Sequence, residues 1–133
     1  IPDARLNKLG LRYINEIRLK QGNPFNWSKF IDSSLVHVVN KFLDDKNSLS
    51  RNITQIILNF DDSFMNFTFG FFNSEYPAKI SRKEFLLDFD CVTTDIDDKD
   101  CYKKLTTFND RITKMFEKCI RDGLRELMEV EDA

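Results

Sequence analysis

At 133 residues the chain is of single-domain size and long enough to bury a core of its own. Twenty Lys and Arg against 22 Asp and Glu leave a net charge of −2, which argues against a nucleic-acid protein driven by bulk charge. No apolar run approaches the roughly 18 residues that cross a bilayer as a helix, and 13 Phe point to an aromatic core built on strands.

The first predicted element is a strand over residues 9–19. Leu9, Leu11, Tyr13, Ile17 and Leu19 alternate with Gly10, Arg12, Ile14, Glu16 and Arg18, so one face is dry and the other wet. A wet face implies an antiparallel sheet covered on one side only. Gly22-Asn23-Pro24 ends the strand. Asn26 is positioned to cap a helix beginning at Trp27, Phe30 and Ile31, which Asp32-Ser33-Ser34 breaks or re-caps. Leu35, Val38, Val39, Phe42 and Leu43 then recur at helical spacing as one apolar face.

Residues 53–60 and 64–72 are the second and third predicted strands, joined at Asp61-Asp62-Ser63 as a hairpin. Residues 73–83 form a loop carrying Tyr76-Pro77, and the fourth strand covers residues 84–93. Its inward residues are Phe85, Leu87, Phe89 and Cys91; Glu84, Leu86, Asp88 and Asp90 look outward. The acidic stretch 94–100 supplies caps for one long helix from about Lys99 to Met128. Cys101, Leu105, Phe108, Ile112, Met115, Phe116, Cys119, Gly123 and Leu127 lie on its apolar face, with Gly123 expected to let the helix approach the sheet.

The resulting fold class is α+β: an antiparallel sheet of about four strands, with the long C-terminal helix and a shorter helix packed on one face. Phe67, Phe85, Phe89, Phe108 and Ile112 are expected to share one dry interior.

Cys91, Cys101 and Cys119 contain no Cys-x-x-Cys and cannot all pair, which favours a reducing compartment and buried thiols. No secretory leader is recognisable, so the expected location is cytoplasmic. In that setting the sequons at Asn26, Asn52 and Asn66 carry no glycan. The start at Ile1-Pro2 rather than Met makes a piece of a longer protein the expectation.

Three segments carry a resemblance: LGLRYINEI at residues 9–17, GFFNSEYPAKISRKEFLLDFDC at 70–91 and FEKCIRDGLRELM at 116–128. Together they resemble an uncharacterised, sporadically distributed prokaryotic family. Its pattern is an LRYIN strand, an N-x-x-Y-P turn, an LD-x-D strand and an F-E-x-x-I helix. The resemblance implies that residues 1–133 are the C-terminal half of such a protein, with a missing N-terminal half as partner. It implies no activity, cofactor or catalytic residue. Arg121-Asp122 departs from the Thr-Asp pair expected there.

Chemistry-bearing candidates are few. Asp88 and Asp90 lie on one strand face with Glu84, an arrangement able to offer oxygens to a divalent cation. The competing and favoured assignment pairs Asp88 and Asp90 with Arg12 and Arg18 across strands. Lys104, Arg111, Lys114, Lys118, Arg121 and Arg125 form a stripe on the C-terminal helix that could track phosphates, although Asp100, Asp122 and Glu129 share the arc. Ion pairing within a solvated face is the favoured alternative. His37 stands alone, without partners for a zinc site or a triad. Phe71, Phe72 and Tyr76 could wall the mouth of an apolar pocket.

The expected function is therefore a non-enzymatic binding or interaction domain without a cofactor. An open sheet edge would pair with the N-terminal half or with a second copy in a homodimer. A metal-dependent hydrolase using the strand carboxylates and a nucleic-acid binder using the helix stripe are the alternatives.

Overall fold

The alternating segments form one antiparallel sheet. The computed structural model describes residues 5–132. Strands β1 (Arg5–Leu19), β2 (Asn52–Asn59), β3 (Phe64–Phe71) and β4 (Lys83–Asp97) lie in the order β1-β4-β3-β2. Tyr13 and Phe67 both register with Phe89, so odd-numbered residues of β1, β3 and β4 share a face. The rings of Phe67 and Phe89 stack at 4.7 Å and 3°. Helices α1 (His37–Phe42), α2 (Cys101–Cys119) and α3 (Asp122–Asp132) complete the fold.

The odd face is the covered one. Helix α2 delivers Phe108, Ile112 and Cys119 into the interior, and these join Phe67, Phe85 and Phe89 in a single buried cluster. The Tyr13 hydroxyl donates to Asn109 Oδ1 at 2.9 Å, tying β1 to α2. The segment between β1 and α1 covers the rest of this face. Its Phe25 and Trp27 rings lie 5.7 and 5.5 Å from those of Phe71 and Phe85. Such aromatic pairs contribute beyond area burial. Among the described residues no helix is long and apolar enough to cross a membrane.

Five expectations about local structure are corrected. The single C-terminal helix is two: α2 stops at Cys119, and Ile120 forms a β-bridge with Ile31. Here the Arg121 N–H donates to the Phe30 carbonyl and the Gly123 N–H to the Lys29 carbonyl. The Cys119 carbonyl accepts from the Asp32 N–H. Burying Ile120 and satisfying these groups replaces one more helical turn. Gly123 is consequently demanded by the loop and not by the sheet, because a Cβ there would sit 2.5 Å from the Lys29 carbonyl oxygen.

The helix expected from Asn26 is a run of turns. Asn26 Oδ1 accepts from the Ser28 N–H and hydroxyl, a local alternative to helix propagation. In α1 the apolar face is rotated: Val36, just before it, and Val39 are buried, whereas Val38 and Phe42 stand in solvent. Finally, β4 continues through the acidic stretch to Asp97, because β1 begins early enough to pair with it, Leu6 opposite Ile96.

Cys91 and Cys119 are buried, as their apolar positions suggested; Cys101 is partly exposed. Burial pushes the Cys91 thiol up to about 11. It pushes Cys119, with help from the Asp32 charge, up to about 12. Neither is a thiolate nucleophile at neutral pH.

Candidate functional site

The even-numbered face of the sheet carries the strand carboxylates, but each of the two best placed is already held. Asp88 accepts a bidentate pair from Arg12, Nε at 3.0 Å and Nη2 at 2.7 Å. Glu84 Oε2 accepts from Arg18 Nε at 2.9 Å, while its Oε1 accepts from the Ser74 N–H and hydroxyl at 3.0 and 2.8 Å. Cross-strand pairing is therefore the arrangement found, with one exchange of partner. Arg18 meets Glu84 directly opposite it, and Arg12 reaches past Asp90, its register partner, to Asp88. Asp90 acts on Arg12 only through its field.

Burial alone would raise the Glu84 carboxyl, which is only 3% exposed. The Ser74 donors and Arg18 outweigh that and hold it below its ordinary value. A depressed carboxylate pKa stabilises the fold above the unfolded value and loses that contribution as pH falls through the folded one. Glu84→Gln is expected to cost about 1–3 kcal/mol at neutral pH. The gap between variant and wild type should narrow as urea midpoints are measured at successively lower pH below about 4.5. A gap independent of pH over that range would show that Glu84 acts through shape alone.

With their lone pairs so engaged, Asp88 and Glu84 are poor ligands for a hard cation. Among the described residues no group of three or more His, Cys, Asp or Glu is arranged to hold a metal ion. The helix stripe is likewise divided. Lys104 pairs with Asp62, and the Arg111 guanidinium donates to the Ser63 hydroxyl and stacks 3.9 Å over Phe60. Arg121 donates to the Ser28 carbonyl, and Arg125 bridges Glu117 and Asp122. Lys114 and Lys118 are left on an exposed face. Of the aromatic residues expected at a pocket mouth, Phe71 is buried in the core and Tyr76 stacks on Arg51 at 3.9 Å. His37 is an exposed residue at the start of α1.

The two sheet edges differ in kind. The outer edge strand β1 carries Lys8, Arg12, Glu16 and Arg18 along its length. Charges of this sort discourage a foreign strand. The other edge, β2, reads NITQIILN and carries no charge and no proline. Its even residues register with the covered row of β3, yet Ile56 remains 42% exposed because the helices lie over β1 and β4. On the opposite face Ile57 is 62% exposed and Ile53 is also in solvent. Only β3 pairs with this strand, so its outer N–H and C=O groups have no strand partner among the described residues. The neutral composition of residues 52–59 is visible in the sequence; that this strand lies at the edge is not.

Comparison with protein-family models, with curated proteins and with solved structures finds no match for the chain.

Proposed function

We propose that the chain is a non-enzymatic interaction domain, and that the free edge of β2 takes an added strand from a second copy of the chain. The observation that supports this is an eight-residue edge strand without a single charge, which itself exposes Ile53, Ile56 and Ile57. Main-chain hydrogen bonds supply affinity in strand addition, and alternating side chains supply register. A second copy is the favoured occupant because antiparallel self-pairing places no like charges opposite one another. A two-fold axis through Ile56 sets Ile56 against its own copy, Gln55 against Ile57 and Thr54 against Leu58. This register keeps the covered faces of both sheets on one side. Three cysteines without a Cys-x-x-Cys support a cytoplasmic setting, and the resemblance to a prokaryotic family supports a place in the C-terminal part of a longer protein.

Sedimentation equilibrium tests the proposal. The wild type is expected to dimerise with concentration, and Ile56→Lys to remain monomeric with its melting temperature little changed. Lysine at this position would stand opposite its own copy, where the repulsion is greatest. A wild type that stays monomeric at several hundred micromolar, or an Ile56→Lys variant that dimerises equally, overturns self-pairing. A monomer whose β2 amides gain exchange protection from a different added strand would replace the second copy with that partner.

A further inference from the structure

We propose that the end of the sheet where β1 meets β4 holds a binding site for a phosphate-type oxyanion, with Lys83 as its central cation. Lys83 opens β4, registers with Leu19 and is only 8% exposed. Its tail passes beneath Gly22 so closely that a Cβ at Gly22 would lie 3.0 Å from Nζ. The ammonium sits 5.6 Å from the Trp27 ring and 5.3 Å from Phe30. Those ring faces attract a cation but accept no conventional hydrogen bond, and among the described residues no carboxylate within ion-pair distance answers Lys83. The ammonium nitrogen is not fully enclosed, so it faces the cleft with ring faces and solvent around it in place of an anion.

The cleft that Lys83 lines has a volume of about 340 Å³ and opens between Leu19–Gly22 and Ser81–Glu84. Its other cations are Arg18, Lys20 and Arg82. Its carboxylate, Glu84, is neutralised by Arg18 and accepts hydrogen bonds from Ser74. Arg82 leans on Glu75 at 3.4 Å, a loose pair that an incoming anion can displace. Lys20 is exposed and has no ion-pair partner among the described residues. Lys29 adds a positive field at Lys83. Burial and that field together lower the Lys83 pKa, the behaviour of a cation lacking its counter-charge. The volume admits a doubly charged oxyanion of phosphate size, and Lys83, Lys20 and Arg82 line it as charge-assisted donors. The site lies across the sheet from β2, so it is independent of strand addition.

Titration with inorganic phosphate, against sodium chloride at matched ionic strength, decides the matter. The wild type is expected to show saturable shifts of the Lys83, Gly22 and Arg82 amide resonances and a rise in melting temperature. Lys83→Met keeps the aliphatic stem against Trp27 and removes the charge. It should weaken phosphate binding by at least about tenfold, while melting no lower than wild type without phosphate. Lys20→Ser, at an exposed position, gives a second reading independent of core packing and should weaken binding severalfold. Phosphate shifts that chloride reproduces, or that survive unchanged in both variants, overturn the site. A response to a phosphomonoester but not to free phosphate assigns it to a phosphorylated molecule.

Discussion

Phe89→Ala is expected to cost about 3–5 kcal/mol of folding stability, a large fraction of what a domain of this size possesses. Phe89 is fully buried in the central strand β4, between β1 and β3. Its ring stacks on Phe67 and meets the Phe116 ring edge-on at 6.4 Å. Removing the ring takes away its transfer energy and leaves a cavity between sheet and α2 that neither neighbour can fill. Phe67 is fixed by β3, and Phe116 by the helix. Urea denaturation followed by tryptophan fluorescence reads the change, since Trp27 lies in the same cluster. The exposed Phe42 is the control, where alanine should shift stability by no more than about 0.5 kcal/mol. A Phe89→Ala midpoint close to that of Phe42→Ala would mean that the row of odd-numbered side chains is not the structural core.

That row was legible because residues 65–71 alternate and residues 85–91 depart from alternation only at Leu86, and a sheet covered on one side translates period two directly into burial. What alternation cannot convey is strand order. Arg12 and Asp88 bond across 76 residues of chain, and nothing local to either strand states that β1 lies beside β4 and not beside β2. The outward direction of Glu84 and Asp88 was therefore readable, whereas the choice of Arg12 for Asp88 depends on how a long guanidinium crosses the strands diagonally. The break after Cys119 was hidden for a related reason. No glycine or proline stands at Ile120, and the apolar rhythm runs through it; the interruption is imposed by Ile31 from a distant segment. The environment of Lys83 is not readable from its neighbours in sequence, because it is made by Trp27 and Phe30, which local signals place in a helix that does not form.

Gly70→Ala is expected to be as damaging as the loss of Phe89 and to act on β2 in particular. Gly70 has φ +143°, a backbone conformation that L residues avoid, and it lies opposite Ile53 on β2 and Leu86 on β4. A Cβ at this point would fall 2.0 Å from the Asn52 carbonyl oxygen and 3.2 Å from the Ile53 Cα. Both are backbone atoms, so no rotamer change relieves the overlap. The strained φ alone costs about 1–3 kcal/mol. The remaining overlap is relieved by moving the start of β2 away from β3, at the expense of ladder hydrogen bonds. The summed loss should exceed about 3 kcal/mol in chemical denaturation. Amide exchange should quicken at Asn52–Thr54 well before it quickens in β4, which pairs on both sides. Gly10→Ala offers the contrast: its nearest contact would be 3.3 Å, which a shift of a few tenths of an ångström relieves, and its φ is ordinary, so its cost should be far smaller than that of Gly70→Ala. Because β2 is held by β3 alone, a strand loosened at Asn52 can no longer present a fixed register to a second copy. Gly70→Ala should therefore weaken dimerisation even under conditions where the rest of the sheet stays folded, and dimerisation at wild-type strength would show that the register of β2 is set elsewhere.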